Sequence, residues 1–508
     1  MKLLFTSSTS VCCELQNDQP YYAPAPFDVL VNGKTAYSNV TTNVFSLFNL
    51  KPNTEYRIEV NDKKIIFRTL TESGYINVKD YGAIGDGVTD DTVAIQNAID
   101  ACPVCGRVVI PDGKYSVSPL SLKSDITIEL SENCRLIGSV NESDYPVLDA
   151  YDKNGNVLSV WEGVAFPSQK ALISGYGLTN VKIVGRGMID GNAQNSTWWL
   201  GNVKARTIAR PRLVFLNACK NVTFHGITGG NSAAWNFHPF LSENVAFYDI
   251  TVTAPATHAP NTDGIDPEFC NGVEIIGCRF STGDDCIAIK SGKIDLAFAL
   301  QRSANHHTIR NCLMKKGHGG VVLGSEIGGG VQNLSVCKCV FDGTDKGLRI
   351  KTRRGRGKYS VIDGVEFENI EMHDVPSPLV INMYYNCDPD GNTEYVYSRE
   401  PHAIDERTPY LGTFTFRNIR CERCRIAAGY FDGLPERPIK EIVIENASFS
   451  YNPNSIGGSC ASMTHRVVLK NAGLYFDNVE KAIIRNVTFD GVEGDRIISK
   501  NCKEIIRE

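Results

Sequence analysis

Asn221-Val222-Thr223-Phe224, running into Gly226-Ile227-Thr228, is the stretch that decides the fold. The quartet opens on a turn residue and alternates apolar with polar side chains, the pattern of a half-buried strand. A second short strand follows almost at once. The same form stands at Asn180-Val181-Lys182-Ile183, Asn244-Val245-Ala246-Phe247 and Gly272-Val273-Glu274-Ile275. It returns at His307-Thr308-Ile309-Arg310, Asn333-Leu334-Ser335-Val336, Gly364-Val365-Glu366-Phe367, Glu441-Ile442-Val443-Ile444 and Ala482-Ile483-Ile484. Spacing is about 22 to 35 residues through the middle, with longer gaps where loops intrude. That is the length of one coil of a parallel β-helix, in which each coil buries its inward side chains on the next. A β-propeller is the rival, but its longer, more regular repeat and Trp-Asp marks are absent. An all-β chain is therefore expected, with a parallel β-helix as its main body.

Outward from the repeats, the solenoid is expected over residues 73–508, opening with Tyr81-Gly82-Ala83-Ile84-Gly85-Asp86-Gly87. Thr89-Asp90-Asp91 then supply N-cap candidates for a helix with Ile95, Ala98, Ile99 and Cys102 on one face. Such a helix reads as the end cap that a solenoid needs over its first open edge. The Gly-x-Gly resembles a phosphate loop but lacks the lysine and the preceding βα context, so no nucleotide site is read. Residues 1–72 form a separate small β-sandwich, with alternating segments at Phe27-Asp28-Val29-Leu30-Val31 and Tyr56-Arg57-Ile58-Glu59-Val60. Leu50-Lys51-Pro52-Asn53-Thr54-Glu55-Tyr56 resembles the turn before a late strand of a fibronectin type III domain, with Tyr56 as corner tyrosine.

A chain of 508 residues exceeds one ordinary compact core, in keeping with two units or an elongated body. The net charge of −5 argues against a nucleic-acid partner, and an acidic substrate would have to meet a local positive patch. No apolar run is long enough to span a membrane, so no membrane partner is expected. Only Leu3-Leu4-Phe5 precede a polar Thr/Ser run, too short for a secretion signal, so a cytoplasmic protein is expected; secretion would require a leader outside this sequence. Seventeen cysteines then read as reduced thiols. Cys102-Pro103-Val104-Cys105 and Cys421-Glu422-Arg423-Cys424 have metal-like spacing but no histidine at finger spacing, and are read as buried small side chains rather than zinc ligands.

Four clusters carry the chemistry: Asn261-Thr262-Asp263, Gly283-Asp284-Asp285, Gly317-His318-Gly319 and Arg349-Ile350-Lys351. They follow at roughly one-coil steps, and equivalent positions on successive coils stack about 4.8 Å apart, so the four can form one ladder. On a regular strand Asp284 and Asp285 would point to opposite faces; sharing a site requires a turn there, which Gly283 permits. Crowded carboxylates hold one proton near neutral pH, and a protonated acid beside an ionised one is what glycoside hydrolysis needs. Turn capping or calcium binding are the other uses of such aspartates. Arg349 and Lys351 flank Ile350, so both face one side, suited to a substrate carboxylate. The loop Thr352-Arg353-Arg354-Gly355-Arg356-Gly357-Lys358 adds cations, among them Arg354, that could grip further carboxylates or form a solvated basic patch. Trp235 and the Trp198-Trp199 pair are either sugar-stacking rings or core packing.

Together the four clusters resemble the signatures of the polygalacturonases, glycoside hydrolase family 28, complete and in order, over about residues 75–508. The resemblance implies a right-handed parallel β-helix of the pectin-lyase-like class. It implies inverting hydrolysis of α-1,4-linked galacturonic acid in polygalacturonate or pectin oligomers. Asp284 would be the general acid, Asp263 and Asp285 would hold and deprotonate the water, and His318 would tune Asp284. Arg349 and Lys351 would bind the substrate carboxylate, with Asn261, Tyr385, Arg354 and Trp235 as further substrate contacts and Tyr384 competing with Tyr385. No metal or cofactor is implied, which separates this chemistry from calcium-assisted elimination. The added N-terminal domain and Gly319-Gly320-Val321-Val322-Leu323-Gly324-Ser325-Glu326 resemble the bacterial exo-acting branch, with insertions around 138–170, 192–210 and 385–410 closing one end of the groove. The alternatives are a hydrolase of decorated pectin (xylogalacturonan or rhamnogalacturonan) and a non-catalytic carbohydrate-binding β-helix.

Overall fold

The computed structural model describes residues 1–200, 206–255 and 259–508. The chain begins with seven strands, β1 (Lys2–Thr6), β2 (Val11–Glu14), β3 (Tyr22–Val31), β4 (Lys34–Thr42), β5 (Val44–Leu47), β6 (Glu55–Val60) and β7 (Lys63–Arg68). They pair antiparallel in two sheets, β1-β2-β5 and β4-β3-β6-β7. Alternation along the strands brings Val11, Cys13, Val29, Phe45, Ile58 and Phe67 together between them. The Tyr56 hydroxyl accepts a hydrogen bond from the Lys51 amide at 2.9 Å, tying the corner before β6.

The outer face of β1-β2-β5 is not free. Cys12 and Val44 pack on Tyr248 and Ile276 of the solenoid. Around that apolar contact Arg310 pairs with Glu14 at 2.6 Å, and the buried ring of His225 bridges Ser10 and Ser46 at 3.1 and 2.9 Å. A cavity of about 600 Å³ remains between the two units, lined by Leu70, Glu72, Lys182, Asn180 and Asn221, away from all the acidic clusters.

From Tyr75–Asn77 onward the strands are parallel, stacked coil upon coil into a right-handed β-helix, the hand that parallel crossovers favour. The helix Thr92–Ala101 covers the first coil with Ile95, Ala98 and Ile99 buried. Asp91 stands at its N-cap position, but its carboxylate accepts from the Ile84 and Gly85 amides instead of capping the helix, and so holds the glycine-rich turn.

Eight successive coils turn a sharp corner just before the first inward residue of the repeat. The strand register aligns Asp125, Asn180, Asn221, Asn244, Gly272, His306, Asn333 and Gly364 in one column. All eight have positive φ, between 53 and 70°. Asparagine and glycine tolerate that conformation, and the asparagines also hydrogen-bond up the column, Asn221 to Asn180 and Asn244 to Asn221, each at 3.1 Å. Inward positions fill one continuous apolar core, with Phe224 stacked on Phe247 at 5.0 Å. All seventeen cysteines are free. Cys421 and Cys424 are buried with sulfurs 3.1 Å apart; Cys102 is buried and Cys105 exposed. No helix among the described residues is long and apolar enough to cross a membrane.

One sheet of the solenoid positions the acidic clusters. It contains Val214–Asn217, Phe237–Phe240, Ile287–Ile289, Val321–Gly324, Lys346–Lys351, Ser377–Asn382 and Ala427–Asp432, with bridges through Ile265 joining its two halves. Phe237, Ile265, Ile287, Val321, Leu348 and Leu379 point inward in register. The positions between them face outward, and there the chain places its charges.

Candidate active site

Asp263 lies two residues before Ile265 and Asp285 two before Ile287, so the two aspartates are equivalent positions on adjacent coils. The Gly264 amide donates to the Asp285 carbonyl at 3.0 Å across that step. Asp284 joins them because residues 282–286 bend ahead of the strand Ile287–Ile289. Gly283 allows the bend by close approach: a Cβ there would run into the Ala259 carbonyl and the Thr262 hydroxyl, which accepts the Gly283 amide at 3.1 Å. One carboxylate oxygen from each of the three aspartates lies within 4.8 Å of the others.

The surroundings separate the three chemically. Asp285 is 1% exposed; burial alone would push its carboxyl up, but Lys351 and Arg349 outweigh burial and hold it below the usual carboxylate range. Lys351 donates to it at 2.8 Å and Arg349 stands 3.8 Å away. Gly319, on the next coil, leaves room for that pairing, since a Cβ would sit 3.1 Å from Asp285 Oδ1. Asp284, partly exposed, is raised by burial and by the Asp285 charge. Asp263 is raised well above the usual range by burial, Asp266 and Asp284. The cluster therefore sets one carboxyl shifted down, Asp285, beside two shifted up, Asp284 and Asp263. A divalent cation would meet the same three oxygens, but Lys351 and Arg349 already supply positive charge to Asp285, the one carboxylate held ionised.

His318 follows on the next coil. Its amide donates to the Asp284 carbonyl at 3.1 Å, and its ring Nδ1 lies 2.7 Å from Asp345 Oδ2. That hydrogen bond, with the Asp284 charge, raises the imidazole, and the side chain is 57% exposed at the groove. Ile350 is buried in the core while Arg349 and Lys351 face the aspartates. Tyr385 places its ring 5.9 Å from the Lys351 ammonium, whereas Tyr384 is turned inward with Arg399 3.8 Å over its ring. Asn261 accepts from buried Arg210 at 2.6 Å, beside Asp263.

Two expected substrate contacts are corrected. Arg354 is fully buried, paired with Glu436 at 2.6 Å and donating to the Ser398 and Glu400 carbonyls. Its neighbours Arg353 and Arg356 are likewise buried on Asp388, so the basic loop anchors an insertion and presents no grip for a polymer. All five N–H donors of Arg354 are taken within the protein, leaving none for substrate. Trp235 is 2% exposed, covered by Trp161 in a stack with centroids 5.1 Å apart. Trp198 is fully buried against Tyr145; the rest of its loop, 201–205, lies outside the described residues.

Residues given no role by the motifs complete the surroundings: Asp345 behind His318, Arg210 and Trp161 beside Asn261, and Asp266, Lys290 and Glu326 beneath Asp263. Asp345 sits 27 positions after His318, so the coil arithmetic that aligned the clusters was the signal for it. Lys290 had none, and Glu326 was read only as the end of the Gly319–Glu326 stretch, because their pairing depends on strand register.

The fold and the site define a glycoside hydrolase built on a parallel β-helix. The description "Glycosyl hydrolases family 28" matches residues 103–399. The chain is 30% identical over 380 residues to a probable polygalacturonase from Vitis vinifera, covering 73% of each. It is 28% identical over 497 residues to an exo-poly-alpha-D-galacturonosidase from Dickeya chrysanthemi, covering 87% of this chain and 80% of the relative. In fold it is similar to the Yersinia enterocolitica family 28 exopolygalacturonase (TM-score 0.74, 21% identity, 99% of this chain and 98% of the other). The chain belongs to glycosyl hydrolase family 28.

Proposed function

We propose that the protein hydrolyses α-1,4-linked galacturonate from a chain end of polygalacturonate or its oligomers. The observation that carries the reading is the division of Asp284 and Asp285: adjacent in sequence and sharing one site, one carboxyl is shifted up and the other down. In this reading Asp284 protonates the leaving oxygen. Asp285, the carboxylate that Lys351 and Arg349 keep charged, takes the proton of the attacking water, and Asp263 orients that water. His318, tied to Asp345, presents a proton-bearing ring beside Asp284. Arg349, Lys351 and Tyr385 receive the uronate ring and its carboxylate, Asn261 lines the opposite side, and no metal or cofactor takes part.

Chain-end attack is supported by two insertions that converge on one residue. Lys293 donates its amide to the Gly163 carbonyl at 2.7 Å and its ammonium to Asp388 at 3.1 Å, joining the 138–170 and 385–410 loops. Inversion follows from kinship with the family. The 4.8 Å cluster is tighter than the roughly 6.5–9.5 Å carboxyl separation usual for inverting enzymes, so the water would be held between Asp263 and Asp285 rather than across a wide gap. The free cysteines support a reducing, cytoplasmic setting. Residues 1–72 are read as a fibronectin type III-like module, supported by the three-plus-four strand order and the Tyr56 corner, and residues 73–508 as the catalytic unit.

The test is a time course on polygalacturonate with defined products, read also by NMR. Mono- or digalacturonate as the first product, in the β-anomer, is expected. Mid-length oligomers appearing first would defeat chain-end attack, and a first-formed α-anomer would defeat inversion.

A further inference from the structure

Beneath the three aspartates lies a charged layer that the acid–base reading leaves unused. Lys290 is 3% exposed, yet its ammonium stands 3.1 Å from Glu326, 3.5 Å from Asp266 and 4.5 Å over the Trp235 ring. Strand register sets it between Glu268 on the preceding coil and Gly324 on the following one, which is also the neighbour of Lys351. A lysine this deep loses its charge unless carboxylates face it. Here they do, and its ammonium is held well into the charged range despite burial.

The groups around it come from every packed element. Asp263, Asp266 and Asp285 lie on the groove side, and Glu268 with His238 on the coil behind. Glu326 comes from the next coil and is faced also by Lys351 from the coil beyond and by Lys293 just past Lys290, with Glu162 from the overlying loop. Glu326 is held ionised by Lys290, Lys351 and Lys293 against the penalty of burial, while burial and then the Glu326 charge push Glu268 up to about 8. Burial pushes Asp266 up to about 7, against the pull of Lys290. The layer thus carries one fixed cation and one fixed anion in contact, directly below acids whose protonation matters.

We propose that Lys290 and Glu326 are positioning residues that together set the pH window in which Asp284 stays protonated while Asp285 stays ionised. The inference rests on the reading of those two aspartates as acid and base. Removing the ammonium makes every carboxyl nearby harder to ionise, so the acid limb (Asp285) and the alkaline limb (Asp284) of the activity profile both move to higher pH. Removing the Glu326 charge moves both to lower pH, and removing the pair together returns them toward their original places.

The experiment is kcat/KM on polygalacturonate against pH for Lys290→Met, Glu326→Gln and the double variant, with folding checked by circular dichroism. A rise of about 1 pH unit in both limbs is expected for Lys290→Met, a fall for Glu326→Gln, and a near-original profile for the double variant. Limbs that stay in place while kcat drops would make the layer structural and overturn the proposal. Should Lys290→Met fail to fold, Glu326→Gln decides alone: an unmoved profile overturns the proposal and a fall in both limbs supports it. Failure of the underlying reading is a separate result, since Asp284→Asn and Asp285→Asn would then retain turnover.

Discussion

Asp284 and Asp285 show how much of a residue's chemistry is set by its neighbours. Both are carboxyls of one type, one bond apart in sequence, and Asp284 even accepts the Asp285 amide at 3.0 Å. Lys351 and Arg349 touch only Asp285, so only Asp285 is pulled below its ordinary value, and its charge then raises its neighbour. Replacing Asp284 by Asn is expected to lower kcat by about 10²- to 10⁴-fold, the usual weight of a general acid, while oligogalacturonate binding by calorimetry persists. Loss of binding with unchanged kcat would contradict that role. Lys351→Met removes the charge in direct contact with Asp285. Asp285 then binds its proton at higher pH, so the acid limb of kcat/KM moves up and activity at low pH is lost first; an unmoved acid limb would show that Lys351 does not govern Asp285. The residue types and their order were legible from the motifs. Which aspartate is shifted up and which down was not, because that depends on contacts between coils more than sixty residues apart in sequence.

At the scale of the element, the corner column shows why the repeats read so clearly. Each corner in the column holds one residue at positive φ, a conformation costing most L-residues about 1–2 kcal/mol, and that requirement writes Asn or Gly into six of its eight positions, with Asp125 and His306 in the others. Asn221→Ala is expected to lower the apparent melting temperature through that cost and the broken amide ladder. Asn221→Gly should be milder, since Gly272 and Gly364 occupy the same column. Equal losses for the two would mean that the ladder, not the backbone conformation, stabilises the corner. The alternation of Arg349, Ile350 and Lys351 was readable for the same reason, a period of two on a strand with one buried face. Arg354 and Trp235 were misread where periodicity ends: in loops, exposure is decided by what folds over them, here Glu436 and Trp161.

Across the whole molecule, contacts between loops far apart in sequence support the closed-ended groove proposed above. Lys293 joins two of them, and Arg399 ties the 385–410 insertion to Asp432 at 2.6 Å while covering Tyr384. Shortening residues 386–398 to a brief turn should open that end and shift the first products from mono- or digalacturonate toward mid-length oligomers. A product pattern unchanged by the deletion would place the chain-end selectivity elsewhere. The N-terminal sandwich is held on another face through Glu14, Arg310 and the His225 bridge, so it packs as part of the body rather than as a tethered arm.

By itself the sequence determined the coil, its corners, the outward alternation and the set of acids and cations, because these follow from local backbone geometry repeated at a near-constant period. Only the tertiary structure decided which carboxylate is ionised, which arginines are occupied, and how Lys290 and Glu326 sit beneath the site. Those are electrostatic and steric matters, governed by distances of a few ångströms between residues that no local pattern connects.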